Sequence, residues 1–448
     1  MSALDGSVVN TILPVLRSAF SSSIASIEWV VTIYLLVLSG LLLSFGRLGD
    51  MHGHKRIYLL GFIIFIASSA LCGLASTVVE MVIFRAIQAL GGAMLAANSP
   101  AILTKNFPAR QRGQALGLQA TMTYLGLTIG PSLGGWLADH FSWRAVFYIN
   151  VPVGSLAFIL SLVFINRDSR TDSREPFDFV GAALFLTGLT ALLFGLNRGQ
   201  DLGWLSAPIL ISISTALIIL AIFWWVETRI PSPMLDFKLF SNTLFTLSVI
   251  SAIFNYMCVY SVTFLMPFYL IQGLGMSPSG AGLILTAMPI IMAIVAPISG
   301  GLSDRFGTRL LAFIGMVALA GGLFLLSHLR TDSSPVDIAL RLAVTGLGIG
   351  IFISPNTSAL MGAAPHKRQG IASGVLATSR NMGMVLGVGY AGAIFTTKLG
   401  LLGNQSANSF VLATQVSFLA ATFIALLGII VSAFRPHTIQ SHQPYLPE

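Results

Sequence analysis

The octapeptide Gly46-Arg-Leu-Gly-Asp-Met-His-Gly53 returns 254 residues later as Gly300-Gly-Leu-Ser-Asp-Arg-Phe-Gly307. Glycines permit a tight turn and close backbone approach, and recurrence at a fixed period marks two copies of one structural unit. Two further landmarks keep nearly the same offset. Arg85 and Arg341 are 256 residues apart, and Pro108–Gly113 matches Pro365–Gly370 at 257. Each landmark follows the same number of apolar runs within its half, which predicts two six-helix halves of like orientation. The two runs between about 177 and 226 belong to neither copy and read as an insert.

Composition makes those runs membrane spans. Of 448 residues, 55% are hydrophobic and 9% charged, against about 25% charged in an ordinary soluble domain; the mean hydropathy is +0.85. Apolar runs bounded by charge, Pro or Gly fall at about 1–17, 26–48, 57–76, 78–103, 113–137, 143–165, 177–197, 206–226, 243–271, 279–302, 308–328, 336–362, 371–397 and 408–433. A span takes about 20 apolar residues, and backbone in hydrocarbon must satisfy its own hydrogen bonds, so long runs without period-two alternation are helices and not barrel strands. The fold class expected is an all-α polytopic membrane protein of fourteen spans. Its domains are expected to be a six-helix bundle over 1–165, linkers with two extra spans over 166–240, a second bundle over 241–434 and a tail over 435–448.

Sixteen of the 24 Lys and Arg fall in loops after even-numbered spans or at the C-terminal end. By the positive-inside rule both termini are expected in the cytoplasm, with the protein in a cell (inner) membrane. The net charge of +8 is thereby spread over short loops, which excludes a nucleic-acid face. Cys72 and Cys258 lie in apolar runs, so neither a disulfide framework nor a metal site is indicated. The seven histidines read as loop or tail residues, and Glu28 and Glu80 as interfacial residues at span ends. The first run has sixteen residues before Arg17, about 24 Å of helix against about 30 Å of hydrocarbon. It has no basic start or cleavage site of a leader peptide. It is expected to be a truncated span, as from a start codon placed too late.

Four stretches carry chemistry. The opening octapeptide continues into His54-Lys-Arg56. Asp5, in Leu4-Asp5-Gly-Ser-Val-Val-Asn10-Thr-Ile-Leu-Pro14, reads as the acid placed inside a span rather than at its end. Ionisable groups inside a membrane are expensive and mark function, and a buried carboxylate can take and release a proton as its surroundings change. Arg85 opens Arg-Ala-Ile-Gln-Ala-Leu-Gly-Gly92 and supplies a fixed cation. Gly117, Gly126, Gly130, Pro131, Gly134 and Gly135 put small residues and a helix-bending proline on the fifth run.

The loop at 46–56 resembles the major facilitator signature G-x-L-x-D-R-x-G-R-K, with Met51 and His54 where that family has arginines. The fifth-run glycines match the antiporter motif of drug:proton antiporters. The stretch at Leu4–Pro14 resembles their first-span motif L-D-x-T-I-V-N-V-A-L-P, and Arg85–Gly92 their R-x-x-Q-G-x-G-A, with Ala89 in place of a glycine. Trp143-Arg-Ala-Val-Phe-Tyr-Ile-Asn150-Val-Pro152-Val-Gly154 resembles W-R-W-I-F-x-I-N-x-P-x-G. Over nearly its whole length the chain is thus similar to the EmrB/QacA-type fourteen-span drug:proton antiporters of the major facilitator superfamily.

That resemblance implies parallel halves with a substrate site between them near the midplane. It implies proton coupling at Asp5 and Arg85, and a conformational-switch loop of Gly46, Asp50, Gly53 and Arg56 with its echo Asp304, Arg305 and Gly307. Asn10, Asn150, Tyr256, Tyr260 and Arg380 are candidate cavity residues. The function expected is export of lipophilic, cationic or neutral drugs in exchange for protons. Export of an endogenous metabolite, siderophore or antibiotic is the alternative, and a transport-inactive membrane sensor is the reading from another class. No phosphate-binding loop and no nucleophile with a base occur, so neither ATP drive nor enzyme activity is expected. No cofactor is expected; the partners are the lipid bilayer, protons and a small-molecule substrate. A periplasmic adaptor joins them if the source is Gram-negative, and the chain is expected to be a monomer.

Overall fold

Side-chain oxygens open several of the helices. Ser23, Asn242, Ser277, Ser334 and Ser406 each accept a backbone N–H of the following turn, meeting donors that a helix start leaves without an intrahelical partner. In a computed structural model that describes residues 2–106, 112–165, 178–230, 237–364, 369–403 and 406–436, the chain is helical almost throughout. The helices are α1 Ser2–Thr11, α2 Leu13–Ala19, α3 Ile24–His52, α4 His54–Leu74, α5 Val78–Asn106, α6 Arg112–His140, α7 Ala145–Tyr148, α8 Asn150–Phe164, α9 Phe179–Leu202, α10 Ala207–Glu227, α11 Thr243–Phe268, α12 Pro278–Leu285, α13 Ala287–Phe306, α14 Thr308–Leu326, α15 Pro335–Ala363, α16 Gln369–Leu402 and α17 Ala407–Ala433.

Among the described residues, 11 helical stretches are long and apolar enough to cross a membrane. The chain is therefore a multi-pass membrane protein. Helix also occupies the other expected intervals: α1 and α2 as a broken pair, α6 with its glycines, and α9 with the shorter apolar run Val180–Leu196. Exposed Leu156, Ile159 and Val163 on α8 and Leu217 and Trp224 on α10 give an apolar outer surface suited to lipid. The linkers at 166–177 and 231–236, most of the Pro108–Gly113 landmark, and the tail beyond 436 lie outside the described residues.

Helices α1 to α8 pack chiefly among themselves, as do α11 to α17, and the two groups join through α6 with α12 and α3 with α16; α9 and α10 pair with each other, and α9 leans on α3 and α16. The sequence repeat has a physical counterpart. Gly53 joins α3 to α4 at φ 99°, and Gly307 joins α13 to α14 at φ 81°, a backbone region in which glycine alone is unstrained. A Cβ at Gly91 would stand 2.7 Å from the Gly61 carbonyl oxygen, and one at Gly315 would stand 2.9 Å from that of Gly348. Gly61 and Gly315 are 254 apart, Gly91 and Gly348 257, so the same close crossing is built twice.

The two groups of helices meet at the end of the bundle opposite Gly53 and Gly307. There a Cβ on Gly135 would collide with the Pro278 carbonyl, and one on Gly282 with that of Pro131. Ser132 Oγ and Thr286 Oγ1 share a hydrogen bond of 2.6 Å. Arg17 donates to Gln272 Oε1 at this same end.

Candidate functional site

Proline breaks set the geometry. Pro14 lacks the N–H that would bond to Asn10, and the first segment splits at Ile12 into α1 and α2. Pro152 does the same near Ile149, so α8 begins at Asn150. That restart aims Asn150 at α1: its Nδ2 donates to Asp5 Oδ1 at 2.7 Å.

Asp5 is buried and fully engaged. Arg85 Nη1 donates to Asp5 Oδ2 at 2.6 Å, and Gln88 Nε2 donates to Oδ1 at 3.1 Å. Both Asp5 and Arg85 have side chains 1% or less exposed. Arg85 also donates from Nε to the Val30 carbonyl at 3.1 Å and from Nη1 to Gln88 Oε1 at 2.6 Å. Its guanidinium lies 4.2 Å over the Tyr34 ring. Gln88 in turn donates to Ser69 Oγ at 2.7 Å. Five segments thus converge on one ion pair: α1, α3, α4, α5 and α8. A buried pair of this kind is held by complementary hydrogen bonds, and removal of one partner leaves the other charge stranded.

The sequence paired Asp5 with Arg85 as coupling residues and gave Asn150 only as a candidate cavity residue. Tyr34 and Ser69 were missed, as was the role of Gln88. Gln88 follows Arg85 by three residues, a spacing that puts both on one helix face; Tyr34 and Ser69 carry no such signal. Asn10 is buried, but it is not bonded to Asp5, and its Oδ1 makes no hydrogen bond.

The glycines of α6 dock the helix that carries Asp5. Gly126, Gly130 and Gly134 recur every four residues and so share a face. Their Cβ positions lie 3.3 Å from Leu4 N, 2.6 Å from Ser7 Cβ and 2.8 Å from Val8 Cγ1 respectively. Ser7 Oγ donates to the Leu127 carbonyl at 3.2 Å. Pro131 and Gly135 face α12 instead. Gly117 lies on α6 near its start.

In the loop motif, Arg56 and Arg305 are exposed, and Gly46 approaches Ala97. The side chains of Asp50 and Asp304 lie outside the described residues. His54 corrects the loop assignment: it is the buried first residue of α4, with Nδ1 2.8 Å from Asn98 Oδ1. Gly49 leaves the room for that contact, because a Cβ there would overlap the Asn98 oxygen. Glu28 is also corrected. It is 1% exposed, not interfacial, and packs against Gly392 of α16.

On the other group of helices, Tyr256 and Tyr260 are half-buried on α11, one turn apart, and Arg380 on α16 is exposed although Thr378, Ser379 and Asn381 beside it are buried. Tyr256 packs on Gly383, one turn along α16 from Arg380, where an added Cβ would stand 2.9 Å from the Tyr256 Cβ. Among the described residues no group of three or more His, Cys, Asp or Glu is arranged to hold a metal.

A family model described as Major Facilitator Superfamily matches residues 1–250 and 244–445. The chain is 34% identical over 439 residues to the riboflavin transporter RibZ of Clostridioides difficile, an alignment covering 97% of this chain and 94% of that one. It is 32% identical over 400 residues to the multidrug resistance protein Stp of Mycobacterium tuberculosis, covering 89% of this chain and 74% of that one. Among solved structures, a bacterial homolog of the human lysosomal transporter Spinster, in an inward-facing and unoccupied conformation, matches with a TM-score of 0.70 at 16% identity. That match covers 97% of this chain and 93% of the other, and it speaks to the fold.

Proposed function

The chain belongs to the Major Facilitator Superfamily, and from that premise we propose that it is a fourteen-span proton-coupled antiporter that exports lipophilic compounds by alternating access. Coupling is assigned to Asp5 and Arg85. The observation that carries this is the Asp5 carboxylate, sealed inside apolar helices and held by Arg85, Gln88 and Asn150.

Three donors are aimed at one carboxylate. A proton arriving on Asp5 cancels the charge that holds Arg85, and the segments tied through it are then free to repack. Exchange follows if that proton enters from outside and leaves to the cytoplasm, each proton resetting the transporter for another substrate. Orientation rests on the basic loops: the end bearing Gly53 and Gly307 is cytoplasmic, and so are both termini. The helices then meet at the outer end, and the cavity between the residue 1–165 bundle and the 241–434 bundle faces the cytoplasm. The switch loops around Gly53 and Gly307 lie where those bundles must close. We assign the protein to the inner membrane as a monomer.

A metabolite exporter is the second reading, and the relative named as a riboflavin transporter favours it. A susceptibility panel in an efflux-deficient host tests the first. The wild-type chain is expected to raise resistance to several lipophilic compounds, and Asp5→Asn at equal membrane abundance to return it to the empty-vector level. Equal resistance from both chains would remove Asp5 from the mechanism.

A further inference from the structure

We propose that Arg380, with Tyr256 and Tyr260, forms a subsite for planar aromatic substrates that carry a negative charge. This rests on the transport reading above and names the substrate class it favours.

Helix geometry fixes where Arg380 points. At about 100° per residue, Gly389 lies roughly half a turn around α16 from Arg380, and Gly389 packs against Leu193 of the α9–α10 pair. Arg380 therefore faces away from that pair. Gly383 and Gly387, within about a fifth of a turn of Arg380, press on the Ile253 and Met257 carbonyls of α11. Gly392, about a third of a turn away on the other side, meets Glu28 of α3. The guanidinium is left between α11 and α3, in the space separating the two groups of helices, eleven residues into α16.

Its surroundings are aromatic and lack countercharge. Tyr256 packs on Gly383, one turn along α16 from Arg380, and both Tyr256 and Tyr260 are close enough to feel its charge. Among the described residues Arg380 makes no ion pair. The Asp5 carboxylate is committed to Arg85. A cation inside the membrane without a carboxylate is expensive and marks a pathway or a ligand. A guanidinium fork binds a carboxylate, sulfonate or phenolate in two parallel hydrogen bonds, while tyrosine faces stack on flat rings. An organic cation meets only repulsion at Arg380.

Binding to the purified full chain in detergent, with no proton gradient, tests this apart from coupling. The probes are anthracene-2-carboxylate and N-methylacridinium, three-ring compounds of opposite charge. The carboxylate is expected to bind about tenfold or more tightly than the cation. Arg380→Gln is expected to erase that preference by weakening carboxylate binding alone, and Arg380→Lys to keep part of it. Tyr256→Phe, which keeps the ring and the cation, is expected to keep the preference. Preference for the acridinium, absence of carboxylate binding to the wild type, or an Arg380→Lys chain of unchanged melting temperature that loses both probes equally overturns the proposal. Preference for the carboxylate without gradient-driven transport would instead uphold the subsite and count against antiport.

Discussion

Asp5 and Arg85 stand in one another's field with almost no exposure to water, so each is the main reason the other is tolerated there. Removing one member of a buried pair typically costs about 3–5 kcal/mol, because the remaining charge is stranded. Arg85→Ala alone is therefore expected to lower the melting temperature of the purified protein sharply. The double variant Asp5→Asn/Arg85→Ala, with no stranded charge, is expected to recover much of that loss. Equal losses in the single and double variants would mean the pair is not the organising contact. This residue-level picture was partly legible in the sequence. An acid in an apolar run and an arginine in another announce themselves by their cost in a membrane, and Asn150 came with its motif. Tyr34 and Ser69 are ordinary residues of apolar helices, and only the packing of α3 and α4 against α5 brings them to the pair. Glu28 and His54 were misread for a related reason: closeness to a span end says nothing about burial when a second helix covers that end.

Elements show how glycine spacing becomes function. Gly130 and Gly134 hold α6 so close to α1 that a methyl group at either would stand 2.6 to 2.8 Å from Ser7 or Val8, inside van der Waals distance. Gly134→Leu is expected to displace α1 and with it the Asp5 carboxylate. It would lower transport to near background while leaving a folded, membrane-inserted chain, since overpacking typically costs about 1–3 kcal/mol and not the whole fold. The measurement is transport per molecule, with melting temperature as control; unimpaired transport would mean the α1–α6 contact does not position the site. Gly301, where a Cβ meets nothing within 4 Å, is the matched control and should accept alanine silently. Helix positions were readable because apolar runs bounded by charge are a strong signal. The residues at which the helices break, Ile12 and Ile149, were not, although Pro14 and Pro152 lie two or three residues beyond them. Proline marks that a helix is disturbed; tertiary contacts choose where it yields.

For the whole molecule, the decisive feature is that the two groups of helices touch at one end. Ser132 and Thr286 meet there across the seam, 2.6 Å apart. In a chain with Ser132→Cys and Thr286→Cys, a short thiol cross-linker is expected to join the two residues and stop transport, because alternating access needs that seam to part. The uncross-linked double variant should still transport. Transport that continues at full rate after complete cross-linking would exclude rocking about this seam. The repeat of 254 to 257 residues has its physical counterpart in the doubled glycine crossings, since the same backbone approach needs the same missing side chain. Which end of the bundle is closed was not legible. Contacts between distant helices depend on the relative tilt of two assemblies, and no local pattern records it.

Antiport as proposed requires a proton to exchange with substrate at Asp5. The check is to add a compound to which the chain confers resistance to purified protein in weakly buffered detergent, and to follow pH. Wild-type protein is expected to release protons in proportion to bound compound, and Asp5→Asn to bind the compound without a pH change. An Asp5→Asn chain that releases protons as the wild type does would contradict the assignment.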